Sequence, residues 1–177
     1  KIKSIKNKRN EIFSDLIFEY NSTPKFPFQD GARDYQKLAY DKWIKNNQKG
    51  ILNMATGTGK TITSLNFVYE QFKLNKNYRL IILVPTIALL YQWVEECIKF
   101  NFLDVFTSKN KDWKLRLSKI DFDFKNFEII QNFIFITTYS TFKRDSFQNF
   151  FKKIDKSQFT LISDECHNVG TQSLVKV

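Results

Sequence analysis

Four short apolar runs, separated by longer polar or amphipathic stretches, constrain the fold of this chain more than any other feature. They are ILN at 51–53, RLIILV at 79–84, NFIFIT at 132–137 and FTLIS at 159–163. Their apolar residues do not alternate with polar ones, which is typical of strands buried on both faces. Because helical patterns lie between the runs, the sequence predicts βαβ units and an α/β fold with a parallel sheet flanked by helices on both faces.

Apolar residues at helical spacing place helices between these runs. One helix is expected from Asp34, a good N-cap residue, to about Asn46, one begins within GKT at 59–61, one begins near Thr86, and one covers 141–154. A short helix at 11–20 precedes a Pro-punctuated linker, and 104–131 is compatible with a short strand, a helix around 113–120 and a loop. Each of the first three helices has an apolar face that is expected to be buried. In the helix from Asp34 this face is Tyr35, Leu38, Ala39 and Trp43. In the helix that begins within GKT it is Ile62, Leu65, Val68, Tyr69 and Phe72, and in the helix that begins near Thr86 it is Leu90, Trp93, Val94, Cys97 and Ile98.

The sequence MATGTGKT at 54–61 has the pattern of a phosphate-binding loop. It follows an apolar run and opens an amphipathic helix, the context that makes such a match credible. Gly57 and Gly59 can adopt positive φ, so that backbone N–H groups can surround phosphate oxygens at the helix N-terminus. Lys60 is then expected to contact the phosphates and Thr61 to reach Mg²⁺. The usual pattern has glycine where this chain has Met54, which a loop leaving its strand without positive φ can accept.

An acid pair, Asp164 and Glu165, directly follows the last apolar run. In a parallel sheet, a strand next to the loop strand would deliver both carboxylates to the edge where such folds bind ligands. Asp164 is expected to hold Mg²⁺, and Glu165 to orient and deprotonate the attacking water. The alternative is a surface acidic turn. A lone histidine is more often structural than catalytic, but His167 lies two residues after the pair, where it could sense the γ-phosphate.

Five segments occur in an order that resembles a known family: RDYQ (33–36), MATGTGKT (54–61), ILVPTIALLYQW (82–93), ITTYSTF (136–142) and SDECH (163–167). Together they are similar to the first RecA-like motor domain of a superfamily 2 helicase or translocase of the DExH type. The residues of these segments are most similar to those of restriction- and repair-type DNA enzymes, including type III restriction helicases. Loops without the first glycine are common in this family. The resemblance implies the three-layer sandwich of a P-loop NTPase.

The resemblance also implies ATP and Mg²⁺ as cofactors, and roles that spacing alone does not show. Gln36 would read the adenine edge, and Arg33 would help to frame the base. The implied nucleotide-binding residues are Arg33, Gln36, Thr56, Gly57, Thr58, Gly59, Lys60 and Thr61. The implied metal-binding residues are Thr61 and Asp164. The implied catalytic residues are Glu165, Lys60 and His167. Pro85, Thr86, Gln92, Thr137 and Thr138 would contact nucleic acid at phosphate and sugar, which implies little sequence preference.

The sequence is divided into an N-terminal helix and linker at 1–30 and an ATP-binding domain at 31–177. The expected function is that of the N-terminal ATP-binding domain of a DNA-dependent helicase or translocase, from a restriction, defence or repair enzyme. No Ser-Ala-Thr motif follows the acid pair. The chain is therefore expected to be a fragment that needs a second motor domain and hydrolyses little ATP alone. Two alternatives stay open: an RNA helicase of the DExH type, and a nucleotide-binding switch module that is not a motor.

Composition sets wider bounds. The net charge of +10 favours an anionic partner, although the excess of Lys over Arg also fits an AT-rich coding sequence. Cys97 and Cys166 are far apart and form no C-x-x-C pair, as expected for a reducing cytoplasm. No apolar region follows the basic start, so no secretory signal is indicated. The longest apolar stretch is too short for a bilayer and contains Pro85, so a cytoplasmic protein without a membrane partner is expected.

Overall fold

The computed structural model describes residues 23–55, 57–155 and 159–165, and it contains a parallel sheet in the order β2-β3-β1-β4. The strands are β1 (Arg79–Val84), β2 (Val105–Thr107), β3 (Phe133–Thr138) and β4 (Thr160–Ser163). Val84 lies opposite Thr138, and Leu83 lies opposite Ser163. The central strands therefore end at one common edge, from which the following loops emerge. The parallel α/β fold is confirmed.

Helices cover both faces of this sheet. The described helices are α1 (Asp34–Lys45), which packs on α2, and α2 (Lys60–Asn75), α3 (Ile87–Lys99), α4 (Trp113–Phe127), α5 (Tyr139–Phe142) and α6 (Asp145–Phe151). Leu80, Ile82 and Val84 of β1 pack in one apolar cluster with buried residues of α2 and α3. Ile81 and Leu83 point the other way, into an aromatic-rich cluster with α4, α5 and α6. Successive residues of β1 are thus buried on opposite faces, which explains why its apolar residues do not alternate.

The predicted helix faces are correct where a helix packs on the sheet. In α2, Leu65 and Val68 are buried, and Ile62, Tyr69 and Phe72 pack against the same cluster. In α3, Leu90, Trp93 and Cys97 are buried, but Ile98 is 62% exposed, so its assignment to the buried face was wrong. The 104–131 region contains β2 and α4, and α4 extends beyond the predicted helix.

Two predicted helix boundaries and one predicted helix face need correction. The N-cap of α1 is Arg33, and Asp34 is the first helical residue. The face of α1 at Tyr35 and Leu38 is not buried, since Leu38 is 55% exposed. The predicted helix at 141–154 is two short helices, because Arg144 adopts extended backbone with ψ of 135° and interrupts it. The predicted helix at 11–20 lies outside the described residues, and the domain division at residue 30 stays a prediction.

The largest correction concerns the run at 51–53, which forms no strand. Ile51 is 79% exposed, and the segment stands across an open cleft from β4. A strand needs backbone partners along its edge. Among the described strands β4 pairs only with β1, so the expected pairing of β4 beside a loop strand is also wrong. Consequently β4 is not fully buried, and Leu161 is 48% exposed.

Candidate functional site

A cleft of about 1390 Å³ runs along β4, from the amino end of β1 to the acid pair that follows β4. One wall is formed by the segment before α2 and by the first turns of α2, including Lys60 and Thr61. The other wall is β4 with the acid pair Asp164 and Glu165. Four of the residues predicted from two distant motifs therefore line a single cleft, although no strand at 51–53 joins them.

The loop before α2 has the backbone conformation that the sequence predicts. Gly57 has φ of 78° and Gly59 has φ of 84°, both in the left-handed region that favours glycine. A Cβ added at Gly59 would lie 3.6 Å from the Tyr35 hydroxyl, an ordinary contact. Backbone conformation, and not lack of space, therefore favours glycine at 59. Gly59 is also the N-cap of α2, whose first N–H groups have no intrahelical acceptor and can bind an anion.

The structure explains why methionine is accepted at position 54. Among the described residues, those with positive φ do not include Met54. A residue without positive φ need not be glycine, in agreement with the prediction made from the sequence. The Lys60 ammonium donates a hydrogen bond to the Met54 carbonyl oxygen at 3.1 Å. Residue 54 thus contributes its backbone oxygen, which any residue supplies. The same bond holds the Lys60 side chain back over its own loop.

The N-terminus of α1 is tied to this loop and to α2 through Gln36, which is 3% exposed. Its Oε1 accepts a hydrogen bond from the Arg33 N–H at 2.9 Å, and its Nε2 donates one to the Thr63 hydroxyl at 3.3 Å. Next to it, the Tyr35 hydroxyl donates to the Thr58 carbonyl oxygen at 2.9 Å. Gln36 retains one N–H and one lone pair. Its reading of adenine stays a prediction.

Asp164 is fixed from three elements at once. Its N–H donates to the Leu83 carbonyl oxygen at 2.9 Å, and its own carbonyl oxygen accepts from the Tyr139 hydroxyl at 2.7 Å. The Trp93 indole N–H donates to the carboxylate Oδ2 at 2.9 Å. No described residue donates a hydrogen bond to Oδ1, which is therefore suited to a cation or water. A surface acidic turn would not require such anchoring.

Sequence reasoning assigned Trp93 to the core, and the structure confirms this, since the side chain is 2% exposed. It missed the contact with Asp164. The available signal was the indole itself, because a buried Trp N–H nearly always needs an acceptor. Glu165 is exposed and has φ of 53°, so the chain turns sharply directly after Asp164.

The remaining predicted nucleotide residues are only partly described. Thr56 and His167 lie outside the described residues. The Thr58 hydroxyl donates to the Ala55 carbonyl oxygen at 2.6 Å, which tightens the loop turn. Arg33 is exposed at the start of α1.

The predicted nucleic-acid residues lie near the carboxyl ends of two strands: Pro85 and Thr86 follow β1, Gln92 lies in α3, and Thr137 and Thr138 are the last residues of β3. The Thr86 and Thr138 hydroxyls cap helices, accepting hydrogen bonds from the N–H groups of Leu89 and Thr141. Gln92 is exposed on α3, and Pro85 is half-buried. Thr137 is 0% exposed in β3, so a contact with its side chain would require the structure to open. The capping roles were not foreseen from the sequence.

In 23–55, 57–155 and 159–165, no helix is long and apolar enough to cross a membrane. Over the same ranges, no cluster of three or more His, Cys, Asp or Glu residues is arranged to hold a metal ion. A metal at the cleft would therefore rely on hydroxyl, phosphate and water oxygens in addition to Asp164.

Comparison with known proteins gives the chain a family and a fold. The DNA 3'-5' translocase XPB2 of Sulfurisphaera tokodaii is 41% identical over 72 residues, which are 41% of this chain and 15% of that protein. A nuclease-deletion mutant of the Type ISP restriction-modification enzyme LlaGI, solved in complex with a DNA substrate mimic, matches 82% of this chain with 16% of its own, at 24% identity and a TM-score of 0.57.

The ATP-dependent Type ISP restriction-modification enzyme LlaBIII, solved bound to DNA, matches 78% of this chain with 10% of its own, at 24% identity and a TM-score of 0.55. The chain spans only a small part of each of these proteins, and the structural likenesses show the RecA-like fold. Residues 30–177 match the family of the type III restriction enzyme res subunit. Since that match covers more than half of the sequence, the chain belongs to the type III restriction enzyme res subunit family.

Proposed function

We propose that this chain is the ATP-binding first motor domain, residues 31–177, of a DNA-dependent helicase or translocase of the restriction type. The observation that carries the proposal is that Lys60, Thr61 and the acid pair line one cleft, beside a loop with two glycines at positive φ. The family match and the DNA translocase among the relatives support a motor acting on DNA.

The residues present suit a magnesium nucleotide. Oxygen ligands are what Mg²⁺ prefers, and the Thr61 hydroxyl and the Asp164 carboxylate supply them from opposite walls of the cleft. Because Trp93 binds only Oδ2, the second carboxylate oxygen of Asp164 is left for a metal-bound water or the metal. When bound, the metal neutralises charge on the phosphates.

The chain's own groups would act in a definite order. The N–H groups of the loop bind phosphate oxygens, and Lys60 exchanges the Met54 carbonyl oxygen for a phosphate oxygen. Glu165, beside Asp164, orients the attacking water and takes its proton. Such preorganised donors are the main source of catalysis in phosphoryl transfer.

We further propose that hydrolysis becomes fast only when a second motor domain adds an arginine to the cleft. An arginine finger contributes roughly 10³- to 10⁵-fold to the rate in related hydrolases. The 177-residue chain alone is then expected to hydrolyse ATP slowly, and rapid hydrolysis by this chain would contradict the proposal.

At the same sheet edge, Thr86 and Gln92 are the best placed of the proposed nucleic-acid residues, because both are exposed. The Thr86 hydroxyl accepts its capping bond from Leu89, so its own proton can be donated to a phosphate. The net charge of +10 favours the same partner. Such contacts bind the backbone and carry little sequence information.

ATPase activity of the intact protein, with duplex DNA, single-stranded DNA or RNA added, tests this function. Duplex DNA is expected to stimulate hydrolysis, and Lys60→Ala is expected to abolish it. Lys119→Ala, which removes an exposed lysine of α4, serves as the charge-matched control. Stimulation by RNA alone would favour an RNA helicase instead. No stimulation by any nucleic acid would favour a nucleotide-binding switch module.

A further inference from the structure

The loop between β2 and α4 and the turn between α5 and α6 form a basic surface outside all of the predicted motifs. Its cations are all exposed: Lys109, Lys111, Lys114, Lys143 and Arg144. Asp112 and Asp145 lie among them, so five cations and two acids give a net charge of +3. None of these seven residues lines the cleft of the proposed nucleotide site. The basic surface is therefore separate from that site.

Aromatic packing brings the two parts of the basic surface together. The Trp113 ring stacks on the Phe147 ring with centroids 5.0 Å apart. These rings lie two residues after Lys111 and three residues after Arg144, respectively. The strands that precede the two parts, β2 and β3, are neighbours in the sheet. Both parts of the basic surface thus follow the carboxyl ends of adjacent strands.

The loop after β2 is ordered by its own hydrogen bonds. Asn110 Oδ1 accepts from the Thr107 N–H at 2.8 Å, and the Thr107 hydroxyl accepts from the Lys109 N–H at 3.1 Å. The Ser108 N–H donates to the Ile136 carbonyl oxygen at 3.0 Å, which ties the loop to β3. Because the backbone is already held in place, binding a partner here costs little more than the ordering of the lysine side chains.

The cations of the basic surface differ from other lysines of the described chain in their lack of acidic partners. Four described lysines each pair with an acid of their own helix: Lys37, Lys73, Lys99 and Lys125. By contrast, no ion pair between described residues includes Lys109, Lys111 or Arg144. Exposed cations that are clustered without counter-charges create a positive potential that attracts an anionic partner.

We propose, on the basis of the DNA-dependent function proposed above, that the basic surface binds phosphates of the same DNA backbone that Thr86 contacts. The order β2-β3-β1 places two strand spacings, roughly 10 Å, between the ends of β2 and β1. Phosphates of one DNA strand follow each other every ~3.4 Å along the duplex axis, so roughly three nucleotides cover this distance. Contacts with phosphates position the DNA and carry no sequence information directly.

The sheet separates this surface from the proposed nucleotide site. In the described sheet, β2 forms one margin and β4, which leads to the acid pair, forms the other. DNA at the basic surface and a nucleotide in the cleft can therefore be bound at the same time, as the proposed motor requires.

Fluorescence anisotropy of a labelled DNA duplex, titrated with the intact protein at about 50–200 mM salt, tests this assignment. A logarithmic plot of affinity against salt loses a slope of about 0.9 for each phosphate contact removed, so Lys109→Ala/Lys111→Ala is expected to reduce the slope by about 1.8. Its affinity at low salt should fall about ten- to hundredfold. The reduction should be equal for two duplexes of unrelated sequence, because their phosphates are the same.

Lys119→Ala/Lys152→Ala is the matched control, since it removes the same charge at two exposed lysines outside the basic surface. It should keep the wild-type slope. An equal change in both double variants would show that net charge alone matters, and would overturn the assignment. A lower melting temperature of Lys109→Ala/Lys111→Ala would assign the loop a structural role and also overturn it.

The remaining outcomes separate the two proposals. If Lys109→Ala/Lys111→Ala keeps the wild-type slope while duplex DNA stimulates the wild-type ATPase, the basic surface is overturned and the proposed function stands. If the wild type binds no DNA, both are overturned. The single variants Lys109→Ala and Lys111→Ala, each with an expected slope change of about 0.9, repeat the test should the double variant not fold.

Discussion

The hydrogen bond from Trp93 to Asp164 joins the hydrophobic core to the proposed catalytic edge, and Trp93→Phe removes it. Phenylalanine keeps an aromatic ring in the site but has no N–H to donate. Asp164 Oδ2 then loses its 2.9 Å donor, and part of the space filled by the indole is left empty. We expect both the stability of the fold and the position of the carboxylate to suffer.

The cost can be worked out from two contributions. A hydrogen bond to a charged group contributes about 1.5–3 kcal/mol, and the lower end applies here because Asp164 is half-buried and water can replace the indole. Removing a whole Trp or Phe side chain from a core costs about 3–5 kcal/mol, and the change to phenylalanine removes a minor part, about 1 kcal/mol. The sum is about 2–3 kcal/mol, or about 4–12 °C in melting temperature for a domain of this size.

Urea unfolding at pH 7 measures the first effect, and a Mg²⁺ titration of ATPase activity in the intact protein measures the second. The variant is expected to need a higher Mg²⁺ concentration for half-maximal activity. Trp113→Phe is the matched control, since that indole is half-buried in α4, packs against the apolar cluster on the opposite face of the sheet and hydrogen-bonds no described protein group. It should leave the Mg²⁺ requirement unchanged.

A double-mutant cycle with Asp164→Ala separates the hydrogen bond from the lost volume. Coupling of about 1–2 kcal/mol between the two positions is expected, because contacting residues deviate from additivity. Strict additivity, together with an unchanged Mg²⁺ requirement in Trp93→Phe, would refute the view that the indole holds the carboxylate.

Three further predictions concern the fold and the loop. Burial raises the pKa of Tyr78 to about 12, so its contribution to stability is present below pH 10 and lost between pH 10 and about 12. Tyr78→Phe, which removes both hydrogen bonds to Leu103, should lower stability by about 1–2 kcal/mol at pH 7 and flatten the loss in that window, as followed by chemical denaturation. Gly59→Ala should lower the free energy of unfolding by about 1–2 kcal/mol and weaken MgATP binding, because Gly59 has positive φ. Gly50→Ala, at a position without positive φ, should have neither effect. Thermal melts measure the stability of both variants, and calorimetry measures their MgATP binding. Burial also raises the pKa of the Cys97 thiol, so the thiol should be unreactive in the folded protein. In a variant lacking the other cysteine, a chromogenic disulfide at pH 8 should therefore label Cys97 only after unfolding. Rapid labelling of the native protein would contradict the position of Cys97 in the core.

The central part of the sheet could be read from the sequence, because β1 and β3 are buried on both faces and their runs are continuously apolar. The observed β1 has the bounds of the run RLIILV. The run ILN at 51–53 has the same local character but forms no strand, since strand formation depends on a neighbouring edge that three residues do not encode. Leu38 and Ile98 were misplaced for a similar reason: spacing shows that a face is apolar, but not what covers it.

The phosphate loop and the acid pair could be predicted because each depends on a local motif, and both lie in the cleft. The contacts that hold them could not. The bond from Lys60 to the Met54 carbonyl oxygen involves backbone, which leaves no trace in residue identity. Trp93 and Asp164 are 71 residues apart in sequence and meet only because α3 packs beside the end of β4.

Calorimetric binding of MgATP to the wild type, Lys60→Ala and Glu165→Gln tests the central claim most directly. We predict that Lys60→Ala loses binding without a change in melting temperature, because its ammonium contacts only a loop carbonyl oxygen in the fold. Glu165→Gln should bind MgATP as the wild type does, since its proposed role is in the proton transfer. Equal MgATP affinity of the wild type and Lys60→Ala would show that the cleft is not the nucleotide site.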